Sequence, residues 1–160
     1  MMSTVLLPKL HWILSEIMNN KFMQLAIEQA KQVQNDVPVG AVIVKGDEVI
    51  STGFNTKEND NNITSHAEIV ALKKASEVLN NWRLDDCDIY VTLEPCPMCA
   101  WAILQSRIKN IYFGSYDNNY GGFSVAHLDK LSETKPNIYG GICEMDCDNL
   151  INDFFKNLRK

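Results

Sequence analysis

Apolar residues along this chain change their period several times, and each change marks an element. Between Lys21 and Gln34, the residues Phe22, Leu25, Ala26, Ala30 and Val33 recur near helical spacing and predict a helix. Val37 to Val44 is a short run rich in β-branched residues and predicts a strand. Pro38 stands near its start, where a missing ladder donor matters least. Lys45-Gly46-Asp47 is a turn signal, and Glu48 to Gly53 returns as the second strand of a hairpin. Asn55 to Ser65 is polar and loop-like. From His66 to Leu79, the residues Ile69, Val70, Leu72, Ala75, Val78 and Leu79 make a broad apolar helical face. Ile89 to Leu93 has the pattern of a buried strand. Cys96 to Ser106 predicts a helix with Pro97 at its first position, where the missing N–H costs nothing. Ile111 to Phe113 is a short strand ended by Gly114. A loop over Tyr116 to Phe123 and a short helix near Val125 to Leu131 follow. Asp148 to Lys160 closes the chain as a helix, with Leu150, Ile151, Phe154, Phe155 and Leu158 on one face. Strands joined through helices imply a central sheet with helices packed on it.

Composition narrows the class. A chain of 160 residues suits one domain, and 46 % hydrophobic against 22 % charged residues is enough to build a core. No apolar run approaches the ~20 residues that cross a bilayer. Near the N-terminus, Pro8 and Lys9 interrupt Val5-Leu6-Leu7, and no basic region precedes it, so a secretory signal is not read there. A cytoplasmic protein is the expectation. The formal charge of −5 runs against nucleic-acid binding, whose affinity comes largely from neutralised phosphates.

The five cysteines are Cys87, Cys96, Cys99, Cys143 and Cys147. An odd count without a secretion signal points to metal or buried thiols rather than to disulfides. Cys96 and Cys99 are three apart on one helical face, at a helix start that favours thiolates. His66-Ala67-Glu68 opens the other helix. Imidazole and two thiolates suit zinc, and three protein ligands leave a fourth position for water, the catalytic arrangement. Glu68, close to a ligand in sequence, is placed to move protons without binding metal. Either segment alone is weak: a lone His is usually a cap, and a lone Cys-x-x-Cys is often a redox pair. The ordered pair, H-x-E followed by P-C-x-x-C, is the signature of zinc nucleobase deaminases. Cys143, Cys147 and Cys87 read as core residues. His11 and His127 have no visible partners.

With those motifs in place, the sequence resembles the bacterial tRNA-specific adenosine deaminases of the cytidine deaminase-like superfamily, over about Met18 to Lys160. The resemblance rests on Val37-Pro38-Val39-Gly40-Ala41-Val42, Gly53-Phe54-Asn55, His66-Ala67-Glu68, Arg83-Leu84, Tyr90 to Cys96, Ser106-Arg107-Ile108 and Asp153 to Arg159. It implies a three-layer α/β/α sandwich around a mixed sheet, a homodimer, and the wobble adenosine of a tRNA anticodon stem-loop as substrate. It also implies that Asn55 contacts the base and that Phe154, Phe155 and Arg159 lie in the region that contacts RNA. The plainer roles are a turn for Asn55, core packing for the phenylalanines and a solvated charge for Arg159. Asn62-Ile63-Thr64-Ser65 stands where the family has Asp-Pro-Thr-Ala, and Trp101 where it has a small residue. Tyr120-Gly121-Gly122-Phe123-Ser124 fits the family's glycine-rich loop only loosely. Residues 1–17 fall outside the match as an extension, and 18–160 form a single zinc-dependent deaminase domain.

Three other readings fit parts of the pattern. The acidic charge suits a deaminase of a free base or nucleoside (guanine, cytosine or cytidine). A non-catalytic zinc-containing RNA-binding subunit would not need Glu68. A thiol oxidoreductase would use Cys96 and Cys99 without metal.

Overall fold

A computed structural model describes residues 6–159. The hairpin expected after the first helix is β1 (Gly40–Lys45) and β2 (Glu48–Phe54), reversed at Gly46 in the left-handed region, φ +61°. Strands β3 (Cys87–Leu93), β4 (Asn110–Ser115) and β5 (Asn137–Tyr139) complete a sheet of order β2-β1-β3-β4-β5. The β1 strand is antiparallel to β2 and β3, while β3, β4 and β5 are parallel. The helices are α1 (Leu6–Ala30), α2 (Lys57–Asp60), α3 (Ala67–Leu79), α4 (Pro97–Gln105), α5 (Leu128–Leu131) and α6 (Glu144–Leu158).

Strand alternation sorts the sheet into two faces. Ala41, Ile43, Ile89, Val91, Ile111 and Phe113 face α3 and α4, meeting Ala71, Ala75, Ile103 and Leu104. Val42, Val44 and Tyr90 face α1, meeting Phe22, Met23, Ala26 and Ile27, with Cys147 of α6 beside them. Each fully buried large side chain contributes about 1.5–3 kcal/mol. The result is a three-layer α/β/α sandwich with a central mixed sheet, as the family resemblance implies. Helix α1 rides directly on β1: a Cβ on Gly40 would collide with its backbone at Ala26 and Ala30.

Differences from the sequence reading have local causes. Helix α1 begins at Leu6, not near Lys21, and ends at Ala30. Pro8 lies in its first turn, where backbone N–H groups have no helical partner anyway. Leu10, Trp12, Ile13, Leu14 and Ile17 are all exposed, so residues 10–17 have no buried face for periodicity to reveal. Val37 to Val39 stay outside the ladder because Asn55 takes their carbonyls, its backbone N–H at 3.2 Å from Val39 O and its Nδ2 at 2.8 Å from Val37 O. Strand β5 is three residues long and half exposed, too short to carry a pattern. Cys87 and Cys147 are buried, as expected of core thiols, whereas Cys143, expected there too, caps α6 and is only half-buried.

The topology fixes where chemistry can sit. Strands β2 and β3 run in the same direction on either side of β1. Their C-terminal ends therefore open on one edge of the sheet, and α3 and α4 start from that edge.

Candidate active site

His66 caps α3 and Cys96 caps α4, both with extended backbone, so two helix N-termini converge. Their partial positive charges favour thiolate and anionic groups between them. His66 Nδ1 lies 3.7 Å from Cys96 Sγ and 3.5 Å from Cys99 Sγ, and the three donor atoms fall within 4.8 Å of one another. In a tetrahedral zinc site with ordinary Zn–S and Zn–N bonds, an N···S edge measures about 3.6 Å. The donor set thus fits zinc in both chemistry and spacing. Proton sharing between the sulfurs tells the same story. Cys99 holds its proton far above the usual thiol range because it donates to Cys96 and is buried. Cys96 is pulled down to about 4, chiefly by that hydrogen bond and also by His66. The same Cys96 contact raises the His66 imidazole. A metal entering here would bind both sulfurs as thiolates and so displace the proton they share.

Glu68, in the first turn of α3, is 4 % exposed. Burial pushes its carboxyl up to about 7, and the nearby Cys96 sulfur adds to the rise. Glu68, His66 and Cys96 share a cavity of about 250 Å³ with Asp36, Val37, Val39, Asn55, Lys57, Leu93, Glu94, Asp117 and Tyr120. The Asn55 side chain is fixed at both ends. Its Oδ1 accepts the Ala67 N–H at 2.9 Å and its Nδ2 donates to Val37 O. The second Nδ2 hydrogen remains for a ligand. Asn55 is thus both the structural clamp at the start of α3 and a wall of the cavity.

Sequence reasoning gave Glu94 no role of its own. It is 2 % exposed and accepts four hydrogen bonds: from the backbone of Asp117, Phe123 and Ser124, and from the Ser124 hydroxyl. The loop it gathers is the glycine-rich segment. Gly122 donates to Pro95 O at 2.8 Å, and a Cβ there would strike Ala100 of α4. The signal was a carboxylate next to Pro95-Cys96, at a strand end where a free acid has no packing use. Glu94→Gln would turn an amide NH₂ toward N–H donors and is expected to cost about 1–3 kcal/mol, read by denaturant unfolding, with zinc content unchanged.

The atypical segment before His66 is a built turn. The Asn62 side chain accepts from Thr64, and Ser65 O accepts the Thr56 N–H at 3.0 Å. Trp101 points outward, 40 % exposed, and does not line the cavity. At the C-terminus the expected core packing is incomplete: Phe155 is 43 % exposed, with its ring edge-on to Phe154. Arg159 is solvent-facing, and Lys160 lies outside the described residues.

Comparison with known proteins fits this geometry. Residues 17–115 match the cytidine and deoxycytidylate deaminase zinc-binding region. The tRNA-specific adenosine deaminase of Rickettsia bellii is 41 % identical over 144 residues, covering 86 % of this chain and 99 % of that protein. The chain belongs to the tRNA-specific adenosine deaminase family. Another member, from Bacillus subtilis, is 37 % identical over 145 residues, 87 % of this chain and 89 % of the relative. A solved structure from a study of A-to-I editing by tRNA:A34 deaminases at the wobble position superposes with a TM-score of 0.79. It is 36 % identical and spans 81 % of this chain and 98 % of that one. In the family frame, His66, Cys96 and Cys99 fall inside the matched zinc-binding region.

Proposed function

We propose that this chain hydrolytically deaminates adenosine to inosine at the wobble position of tRNA. The observation that carries the reading is a zinc-shaped donor triad, His66, Cys96 and Cys99, beside a fully buried Glu68 in a base-sized cavity. Family membership chooses adenosine in RNA from among the nucleobases.

His66, Cys96 and Cys99 would hold the zinc. When bound, zinc supplies Lewis-acid activation of a water, making hydroxide available near neutral pH. Glu68 would take one proton from the attacking water and pass it to the adenine ring, then take the second from the hydroxyl on the tetrahedral carbon and pass it to the amine, which would leave as ammonia. Its burial suits the task, because a carboxyl lifted toward neutrality both accepts and releases a proton. Asn55, clamped by Ala67 and Val37, donates its remaining Nδ2 hydrogen to the ring and orients the base. The glycine-rich loop held by Glu94 contributes Tyr120 to one wall. A flipped-out base is required, since no duplex or stacked base can enter such a cavity.

The reading includes a homodimer, cytoplasmic location and a deaminase domain over residues 18–160; the family match beginning at residue 17 supports that boundary. Among the described residues, no helix is long and apolar enough to cross a membrane. A groove of about 400 Å³ between α3 and α4 is lined by Ile69, Leu72, Trp82 and Arg107, and exposed Met98 and Trp101 stand on α4. Arg107 Nε is buried there with no hydrogen-bond partner. A second copy seated on this face would cover the apolar side chains and supply an acceptor. Sedimentation at micromolar concentration is expected to give a dimer, and Trp101→Glu to shift it toward monomer. A wild-type monomer at that concentration contradicts the dimer.

The substrate test offers zinc-loaded protein an anticodon stem-loop with a wobble adenosine, alongside free adenosine, guanine, cytosine and cytidine, with products scored by mass. Inosine in the stem-loop is the expected product. Turnover of a free base or nucleoside with the RNA untouched would move the chain to the small-molecule branch.

A further inference from the structure

We infer that Asp36 is a specificity residue that accepts a hydrogen bond from the ribose 2′-hydroxyl of the target nucleotide and so selects RNA over DNA. This rests on the proposed deaminase function and adds a contact at the same site. Asp36 follows Asn35, which turns the chain in the left-handed region, φ +60°, after α1. The turn brings Asp36 to the cavity wall beside Val37, whose carbonyl is held by Asn55. Asp36 is 8 % exposed. Its Oδ1 accepts the Val37 N–H at 2.8 Å, while its Oδ2 is buried without any partner. A buried acceptor left unpaired costs free energy, so such an atom in a binding cavity needs an explanation.

The other carboxylates around the cavity have no buried oxygen left unpartnered. Glu94 has its four donors, Asp117 Oδ1 accepts from Asn119 and Tyr120 N–H, and Glu68 stands with the metal donors. Among the described residues lining the cavity, Asp36 alone keeps a buried side-chain oxygen without a partner. Its partner must be a donor. With Asp36, Glu68, Glu94 and Asp117 against one Lys57, this wall repels a phosphate and favours a neutral hydroxyl. Within an RNA strand the 3′ and 5′ oxygens of the sugar are phosphodiester oxygens, so the 2′-hydroxyl is the only sugar donor. A base placed against Glu68, His66 and Cys96 would occupy part of the 250 Å³ cavity and leave room for its ribose along the remaining wall, which includes Asp36. There the hydroxyl would form a charge-assisted hydrogen bond, and a deoxyribose would leave the carboxylate unpaired and cut off from water.

The test compares two stem-loops identical except for a 2′-deoxyadenosine at the target position, using wild type, Asp36→Ala and Asp36→Asn. Asp36→Asn keeps the acceptor for Val37 N–H but turns an NH₂ group toward the sugar. Zinc content and melting temperature confirm that each variant is folded. Wild type is expected to prefer the ribose substrate by about 10- to 100-fold in kcat/KM. Both variants are expected to bring that ratio within about threefold, by losing rate on the ribose substrate while the deoxy rate stays. A ratio unchanged in both variants, with both rates lowered equally, overturns the proposal and leaves Asp36 a merely structural turn residue. If the stem-loop is not turned over but a free nucleoside is, the RNA reading fails separately. The same ratio, measured on the nucleoside and its 2′-deoxy form, then decides for or against Asp36. Turnover of a free base alone overturns the proposal as well.

Discussion

Glu68→Ala is expected to lower kcat for deamination by about 10²- to 10⁴-fold while zinc stays bound. The magnitude follows from the loss of a positioned acid–base group, and the retained metal from geometry. His66, Cys96 and Cys99 supply the donor triad, and Glu68 is not one of its members. Glu68→Gln is the sharper variant, because it keeps the side-chain volume in a site that is 4 % exposed. It also removes a carboxylate whose burial is unfavourable, so its stability is expected to equal or exceed that of wild type. Single-turnover rates with metal analysis of the same samples check both halves. Substantial activity in Glu68→Gln would remove Glu68 from the mechanism, and loss of zinc would make it part of the metal site.

The second large effect belongs to the metal site itself. Cys99→Ala is expected to lose zinc and activity together and to melt on the order of 10 °C lower than the zinc-loaded wild type. A ligand held at 1,000 times its Kd stabilises by about 4 kcal/mol, and a domain of this size shifts by roughly 2–4 °C per kcal/mol. Cys99 is fully buried, so its truncation also opens a small cavity. Cys99→Ser separates the two contributions, since it nearly conserves volume but binds zinc poorly. Both variants should lose metal, with Ser the less destabilised. Full zinc occupancy in either would show that Cys99 is not a ligand.

The sequence carried the site further than it carried the periphery. His66, Glu68, Cys96 and Cys99 lie in short segments that start two helices, and chain-local rules about helix starts place their side chains. The sheet order needed only that β2 and β3 flank β1, which a hairpin followed by a crossover helix supplies. The roles of Glu94 and Asp36 were hidden because each depends on contacts the local pattern cannot show. Glu94 reaches across 23 to 30 residues to gather its loop. Asp36 matters for an atom that has no partner at all. The stretch 10–17 of α1 escaped for the opposite reason: its apolar residues face solvent, so it has no amphipathic stripe to read. The net charge of −5 is an average over the whole chain and does not locate the charges that line one cavity.

The most direct single measurement strips the protein of metal, returns zinc in steps, and follows inosine formation in the anticodon stem-loop at each step. The expected result is no turnover in the stripped protein and activity rising linearly to a plateau at one zinc per chain. Full activity without metal, or one zinc bound per chain with no inosine formed, would contradict the assignment of this site as a zinc-dependent tRNA adenosine deaminase.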